Sequence, residues 1–389
     1  MTYARFLMMA VSVAMLAGFI GSLNAQTEKT ATAELANLSI SQPLSGQTSN
    51  ANTYDIDYRV IVTAPYKTKK LKVWLPIPQT DKSQQISGVS FSTFPSNVTP
   101  SFHKEKKFGN KFAYFEFENP AGAQIITFRF RAVVHQMNWN LDLSQVKTVS
   151  SWPEEFQPFL RTEFDSKVKK EFDSVLNEIV PEKKGTAMDV QAVLDWTSEN
   201  LSYSHSNASL KADVGHALDK RQGHCSDYHG LCSALGRKLG YPARVTYGMA
   251  MFEKASPSHC KLEVFLPPHG WVPFDVSETQ KLIKLIDKNP ELTQEVRKQL
   301  ADKARKRLLT GFRDNTWLQV TRGTNFVLAP EATQTVPLVR TIYAEADGKP
   351  LKDPDPSNQA ETQFSWMTSV KIRASRNVRY PYKNIDSLK

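Results

Sequence analysis

The run from Arg221 to Ser277, RQGHCSDYHGLCSALGRKLGYPARVTYGMAMFEKASPSHCKLEVFLPPHGWVPFDVS, constrains this chain more than any other. Gly223-His224 leads into Cys225, and apolar residues recur at Tyr228, Leu231, Cys232, Leu235 and Leu239. That period is helical, and Gly240 with Pro242 just beyond is how helices stop. Cys225 is therefore expected in the first turn of a helix, where unpaired backbone N–H groups favour negative charge. A thiol placed there ionises below its free value of about 8.5.

His259 opens HCKLEVFL, which alternates as a strand does, and WVPFDV follows after the turn residues Pro267-Pro268-His269-Gly270. If the two runs pair, His259 and Asp275 share a face only when an odd number of residues closes the turn or a bulge intervenes. A three-residue loop sets Asp275 opposite Lys261 and diagonal to His259, within side-chain reach. Cys225, His259 and Asp275 are the candidate catalytic residues. A thiol at a helix start, a base on a facing strand and an orienting carboxylate make a relay for acyl chemistry.

GHCSDYHGL, GYPARV and SHC-x-x-EVFLPPHGWVPFDVSE together resemble the bacterial transglutaminase-like superfamily, a branch of the papain-like cysteine enzymes. The resemblance implies that Cys225 is the nucleophile, His259 the base and Asp275 its orienting partner. LKVWLPIPQ at 71–79 is similar to the strand opening the β-domain that often precedes such a core, and RTIYAEADGKPL at 340–351 to its closing strand and turn. The chain departs from the family at the second residue after the histidine, where Lys261 stands in place of the usual Trp. The departure bears on the groove wall and the substrate class.

The length allows two domains, and 40% apolar residues allow sizeable cores. Lys and Arg outnumber Asp and Glu by 49 to 39, and the excess is spread along the chain. Such a spread implies weak association with anionic envelope surfaces and argues against dedicated nucleic-acid binding. The first 25 residues carry one Arg, an apolar run and small residues ending Asn24-Ala25, which reads as a cleaved signal peptide and places the protein outside the cytoplasm, secreted or periplasmic. The competing reading is an uncleaved membrane anchor. Three cysteines do not make a disulfide framework. Cys225 and Cys232 are two helical turns apart, about 10 Å, too far to bridge. Cys232 and Cys260 are expected in the core, with Cys260 pointing away from the site, and Cys225 is expected as a free thiol.

Residues 26–50 are polar and rich in Thr, Ser and Gln, and are expected to form a flexible leader. YDIDYRVIVTA, KKLKVWLPIP, KFAYFEFENP and QIITFRFRAVVH alternate between turns, which predicts an N-terminal β-sandwich domain over 51–148. The period then changes. A helical segment from Phe159 to Val180 ends at Pro181, Thr186 and Asp189 form a capping pair for the next helix, and Pro290 starts another that ends at Gly311. The catalytic domain is expected over 149–376, with a hairpin joining ETQFSWMTSVKIRAS to the strands of 317–345, and 377–389 as an unassigned tail. The fold class is α+β, a papain-like core preceded by a β-sandwich.

Taken singly, each relay residue has a structural explanation: a core thiol, a strand-edge histidine, a turn aspartate. Their order in these settings favours chemistry. His224, Cys225, His229 and His259 lack the paired spacing of zinc sites, so neither metal nor cofactor is expected. The expected partner is a protein or peptide substrate. The alternative, from another functional class, is a binding module of the cell envelope that no longer turns over.

Overall fold

Alternation with a period of two makes the first part of the chain sheet. A computed structural model describes residues 38–389 apart from 163, 254–256, 355–364 and 378. In the strand Gln47–Thr63 every second residue from Asn52 onward is buried. It pairs antiparallel with Ala123–Asn138 on one side and with Trp366–Ala374 on the other, and Gln84–Phe94 adds to Ala123–Asn138. A second sheet runs Lys349–Pro350, Tyr343–Ala346, Lys70–Ile77, Lys111–Glu118, Ser101–Lys104. The layer between the sheets is apolar, filled by Tyr54, Val60, Val73, Phe115 and Phe128 among others. At about 25 cal/mol per Å² of apolar surface, this burial is what holds the sandwich together.

The rest of the chain is built on a four-stranded antiparallel sheet in the order Trp271–Phe274, Ser258–Phe265, Ala243–Ala250, Trp317–Arg322. The helix Cys225–Leu239 packs on it and is buried almost throughout, with Met188–Asn200 and Val214–Lys220 packed beside it. Met249, Met251 and Leu318 reach from this sheet into the sandwich core. Fully buried Arg313 ties the layers, donating to Gln84 Oε1 at 2.9 Å and to Gln319 Oε1 at 3.1 Å.

Several expectations need correction. Tyr343–Ala346 pairs with Lys70–Ile77, the closing strand of the β-domain that the resemblance implies, although it lies within the 149–376 assigned to the core. Trp366–Ala374 pairs with Gln47–Thr63 rather than with 317–345, a partner that sequence distance hid. Asp189 accepts from Lys184 N at 3.0 Å and caps nothing, since Met188–Asn200 starts without a side-chain cap. A helix the sequence reading missed, Val276–Asp287, follows the hairpin directly, and the next begins at Gln294 with Thr293 as its cap, past Pro290.

The leader also needs revision. The expected signal peptide at 1–25, and 26–37 of the leader, lie outside the described residues. Residues 38–50, however, pack against the core. Trp271 Nε1 donates to the Ile40 carbonyl at 3.0 Å, Leu38, Ile40 and Leu44 pack beside Trp271 and Phe159, and Gln47–Asn50 begins the first strand. The tail too is placed: Tyr380 and Tyr382 pack against Leu282, Ile286 and Phe312.

Candidate active site

Cys225 opens its helix as expected. His224 is the cap, its ring accepting from Ser226 N at 3.4 Å, and Asp227 reaches back to accept from His224 N at 3.0 Å. Gly223 makes this return possible, because a methyl there would collide with the Asp227 carboxylate. Gly240 closes the helix in the left-handed conformation at φ 97°. The Cys225 thiol is held well below its ordinary range, first by a hydrogen bond from the Cys260 thiol. Burial opposes ionisation, and the charges of His224 and His259 favour it.

The hairpin register places the base and its carboxylate together. Leu262 pairs with Phe274 and Phe265 with Trp271, and Leu266 N donates to the Gly270 carbonyl at 2.9 Å. Three residues, 267–269, therefore close the turn. Continued one step outward, the register sets Asp275 opposite Lys261 and diagonal to His259. His259 Nε2 meets Asp275 Oδ2 at 2.8 Å. On the neighbouring strand Gly248 lies opposite His259, where any side chain would collide with Trp317. That closeness lets Trp317 Nε1 donate to the His259 carbonyl at 3.1 Å. Asp275 has a second duty: it caps Val276–Asp287, its Oδ1 accepting from Glu278 N at 3.2 Å.

Nε2 is committed to Asp275. Nδ1 of His259 has no hydrogen-bond partner among the described residues and is the nitrogen left to exchange a proton with Cys225. Burial works against charge on the ring, yet the Asp275 carboxylate and the Cys225 thiolate raise it to about 9. Asp275 stays ionised despite burial because Lys261 and His259 hold its carboxyl well below the usual range. The three groups are thus arranged as thiolate, imidazolium and carboxylate.

Lys261 is wholly buried. Its Nζ lies 2.9 Å from Asp275 Oδ2 and 2.9 Å from Asp314 Oδ2, and above the rings of Trp317 and Tyr382 at 5.3 and 5.2 Å. Burial disfavours its charge, but the two carboxylates keep it protonated.

One site expectation is overturned. Cys260 does not point away: it packs in one cluster with Cys225, and its sulfur lies 3.5 Å from His229 Nδ1. Cys232 is core, its thiol pushed up to about 12 by burial. Sequence reasoning also missed His229, whose Nε2 accepts from Val276 N at 3.2 Å. With Nε2 an acceptor, Nδ1 carries the proton and faces the Cys260 sulfur. Burial lowers His229 to about 4 and keeps it neutral. Its spacing, four residues after Cys225 on one helix face, was a usable signal. Asp314 had none, since its place depends on strands far apart in sequence. Among the described residues no group of His, Cys, Asp or Glu is arranged to hold a metal ion.

Comparison with known proteins agrees with this geometry. Residues 173–276 match the model of the Transglutaminase-like superfamily, a span that holds Cys225, His259 and Asp275. An uncharacterised protein of Haemophilus influenzae is 22% identical over 352 residues, 79% of this chain and 89% of that one. A solved structure from Cytophaga hutchinsonii, described as a candidate cysteine protease, is 15% identical with a TM-score of 0.57, covering 86% of this chain and 95% of its own. That likeness shows a shared fold across both the sandwich and the core. Residues 173–276 of this chain are a domain of the transglutaminase-like superfamily.

Proposed function

We propose that the protein is a thiol acyl-transfer enzyme acting on peptide or carboxamide bonds. The observation that carries this reading is the 2.8 Å bond from His259 to Asp275 beside a thiol that its surroundings ionise. Cys225 Sγ attacks the carbonyl carbon, and the oxyanion is held by the Cys225 backbone N–H at the helix start. The C–N bond breaks as the His259 imidazolium gives its Nδ1 proton to the leaving nitrogen, which leaves a thioester. Water or an amine then loses a proton to His259 as it attacks, and the thiolate departs. Asp275 holds the ring in one orientation throughout. The substrate we propose is a protein or peptide met outside the cytoplasm, where the signal-like N-terminus would send the chain.

Both ionised partners are needed, so activity should fall on the alkaline side as His259 loses its proton near pH 9. The decisive test is incubation of the chain with a peptide amide carrying a thiol-directed warhead, followed by peptide mass mapping. Adduct on Cys225, lost in Cys225→Ala, supports the reading.

A second reading, a binding module without turnover, has one observation in its favour: Cys225 and His259 are only 4% and 3% exposed. Failure of Cys225 to label faster than Cys232 would favour it.

A further inference from the structure

We infer that Lys261, locked against Asp275 by Asp314, is a positioning residue that fixes the carboxylate orienting His259 and tunes the charge of the His259–Cys225 pair. The inference rests on the acyl-transfer reading and goes beyond it, because it gives work to two residues outside the relay.

The geometry leaves Asp275 little freedom. Oδ2 accepts from both His259 Nε2 and Lys261 Nζ, and Oδ1 accepts from Glu278 N at 3.2 Å and Ser277 Oγ at 3.4 Å. Lys261 is held in place, since its ammonium lies over the Trp317 and Tyr382 rings and is tied to Asp314. Asp314 is itself fixed by Thr316, whose N–H donates to Oδ1 at 3.0 Å and whose hydroxyl also donates there. An aromatic side chain at position 261 could supply the packing but not the charge.

Two cations thus share one oxygen. Lys261 repels an imidazolium at His259, and Asp314 returns negative charge to the far side of Lys261, restoring the balance. The other titratable or charged groups facing this cluster come from every element around it. They are Cys225 and His229 on the Cys225 helix with His224 as its cap, Cys260 on the strand of Lys261, Tyr247 on the neighbouring strand, and Tyr203 before the helix. Glu278 stands on the helix that Asp275 caps, its Oε1 3.9 Å from His259 Nδ1 and paired with Lys281. The C-terminal segment adds Tyr380 and Tyr382, with Arg307 over the Tyr382 ring at 4.8 Å. Lys261 and Asp314 are charged groups with no part in the relay or in a helix cap, and they stand one bond from Asp275 and one bond beyond it.

The experiment is the rate of Cys225 alkylation by iodoacetamide against pH, in the full chain. The wild type should show two inflexions, thiolate formation at low pH and imidazolium loss at high pH. In Asp314→Asn the Lys261 charge, no longer balanced on its far side, should move both inflexions down by about half a pH unit. Lys261→Met should move both up, and Lys261→Met with Asp314→Asn should lie between the two single variants. A residue that merely packed would change folded yield and leave both inflexions in place. If Lys261→Met fails to fold, Asp314→Asn and the double variant decide the matter, since neither leaves a buried lysine or Asp314 charge unpaired. Shifts in one common direction, or no shift against a two-step wild-type profile, overturn this inference alone. A wild-type profile with no inflexion below the ordinary thiol range overturns the acyl-transfer reading and this inference with it.

Discussion

The layer between the sandwich sheets and the ground beneath the central sheet are both buried, yet they are filled on opposite principles. The sandwich keeps its ion pairs outside. Asp55 meets Arg131 at 2.8 Å and Asp57 meets Arg129 at 2.9 Å on an exposed face, while aromatic and branched residues fill the middle. Beside the central sheet, Lys261, Asp275, Asp314, His229 and His259 are all buried, and a second buried pair, Arg244 with Glu263 at 2.7 Å, bridges two neighbouring strands. Burying charge usually costs more than its pairing returns, so such a cluster is poor evidence of stabilisation. What the contrast teaches is where the molecule gives up stability for placement. The sandwich is a support, and the charged ground beside it is where position and protonation matter.

The largest effects should separate the two regions by their rescue. Lys261→Met strands the Asp314 carboxylate in the interior and leaves Asp275 with His259 as its one cation, and should cost about 3–5 kcal/mol in urea unfolding. Adding Asp314→Asn should recover most of that loss. Phe115→Ala in the sandwich should cost a similar amount, about 3–5 kcal/mol, through an unfilled cavity, and no single change of charge nearby should restore it. Equal rescue in both regions would erase the distinction drawn here.

A smaller effect sharpens it. His259→Ala should slow alkylation of Cys225 at pH 7 by about a hundredfold, by removing the proton acceptor and the neighbouring positive charge. Alanine at Phe128 in the sandwich should leave the folded protein's alkylation rate unchanged. Labelling of Cys225, Cys232 and Cys260 at one common rate would count against the relay.

Next in size is the leader. Removing residues up to Ser45 takes away the acceptor of Trp271 Nε1 and the cover of Leu38, Ile40 and Leu44. The melting temperature should fall by about 2–4 °C for each kcal/mol lost. An unchanged melting temperature would return these residues to the role of a loose leader. The smallest effect belongs to the sandwich surface. Arg131→Gln breaks an exposed pair with Asp55 and should leave the melting temperature within error, because such pairs are screened.

Local chemistry is what could be read from the sequence. The Cys225 helix, its glycine stop and the odd-numbered turn joining His259 to Asp275 depend on neighbours within a few residues, and the structure has all three. The missing parts depend on distance or on double duty. Trp366–Ala374 alternates like any strand, but nothing local says that its partner is Gln47–Thr63, three hundred residues earlier in the chain. Val276–Asp287 escaped notice because Asp275, read as the end of a strand, is also the cap of that helix. The polarity of 26–50 concealed Leu38, Ile40 and Leu44, whose burial comes from Trp271 and Phe159 rather than from their own period. Cys260 was misplaced by strand alternation alone, which says which face a residue takes but not how a helix start leans over it.

The pairing of Trp366–Ala374 with Gln47–Thr63, and the packing of Tyr382 over Lys261, set an order of events in time. Synthesis delivers the chain from its N-terminus. When Asp275 has emerged, all three relay residues exist, but Asp314 and the aromatic wall around Lys261 do not, and the first strand still has an open edge. Only when Trp366–Ala374 and Tyr382 arrive is the sandwich edge paired and the lysine enclosed. A chain cut between Asp275 and Trp366 therefore holds the thiol, the imidazole and the carboxylate without the full surroundings that fix them.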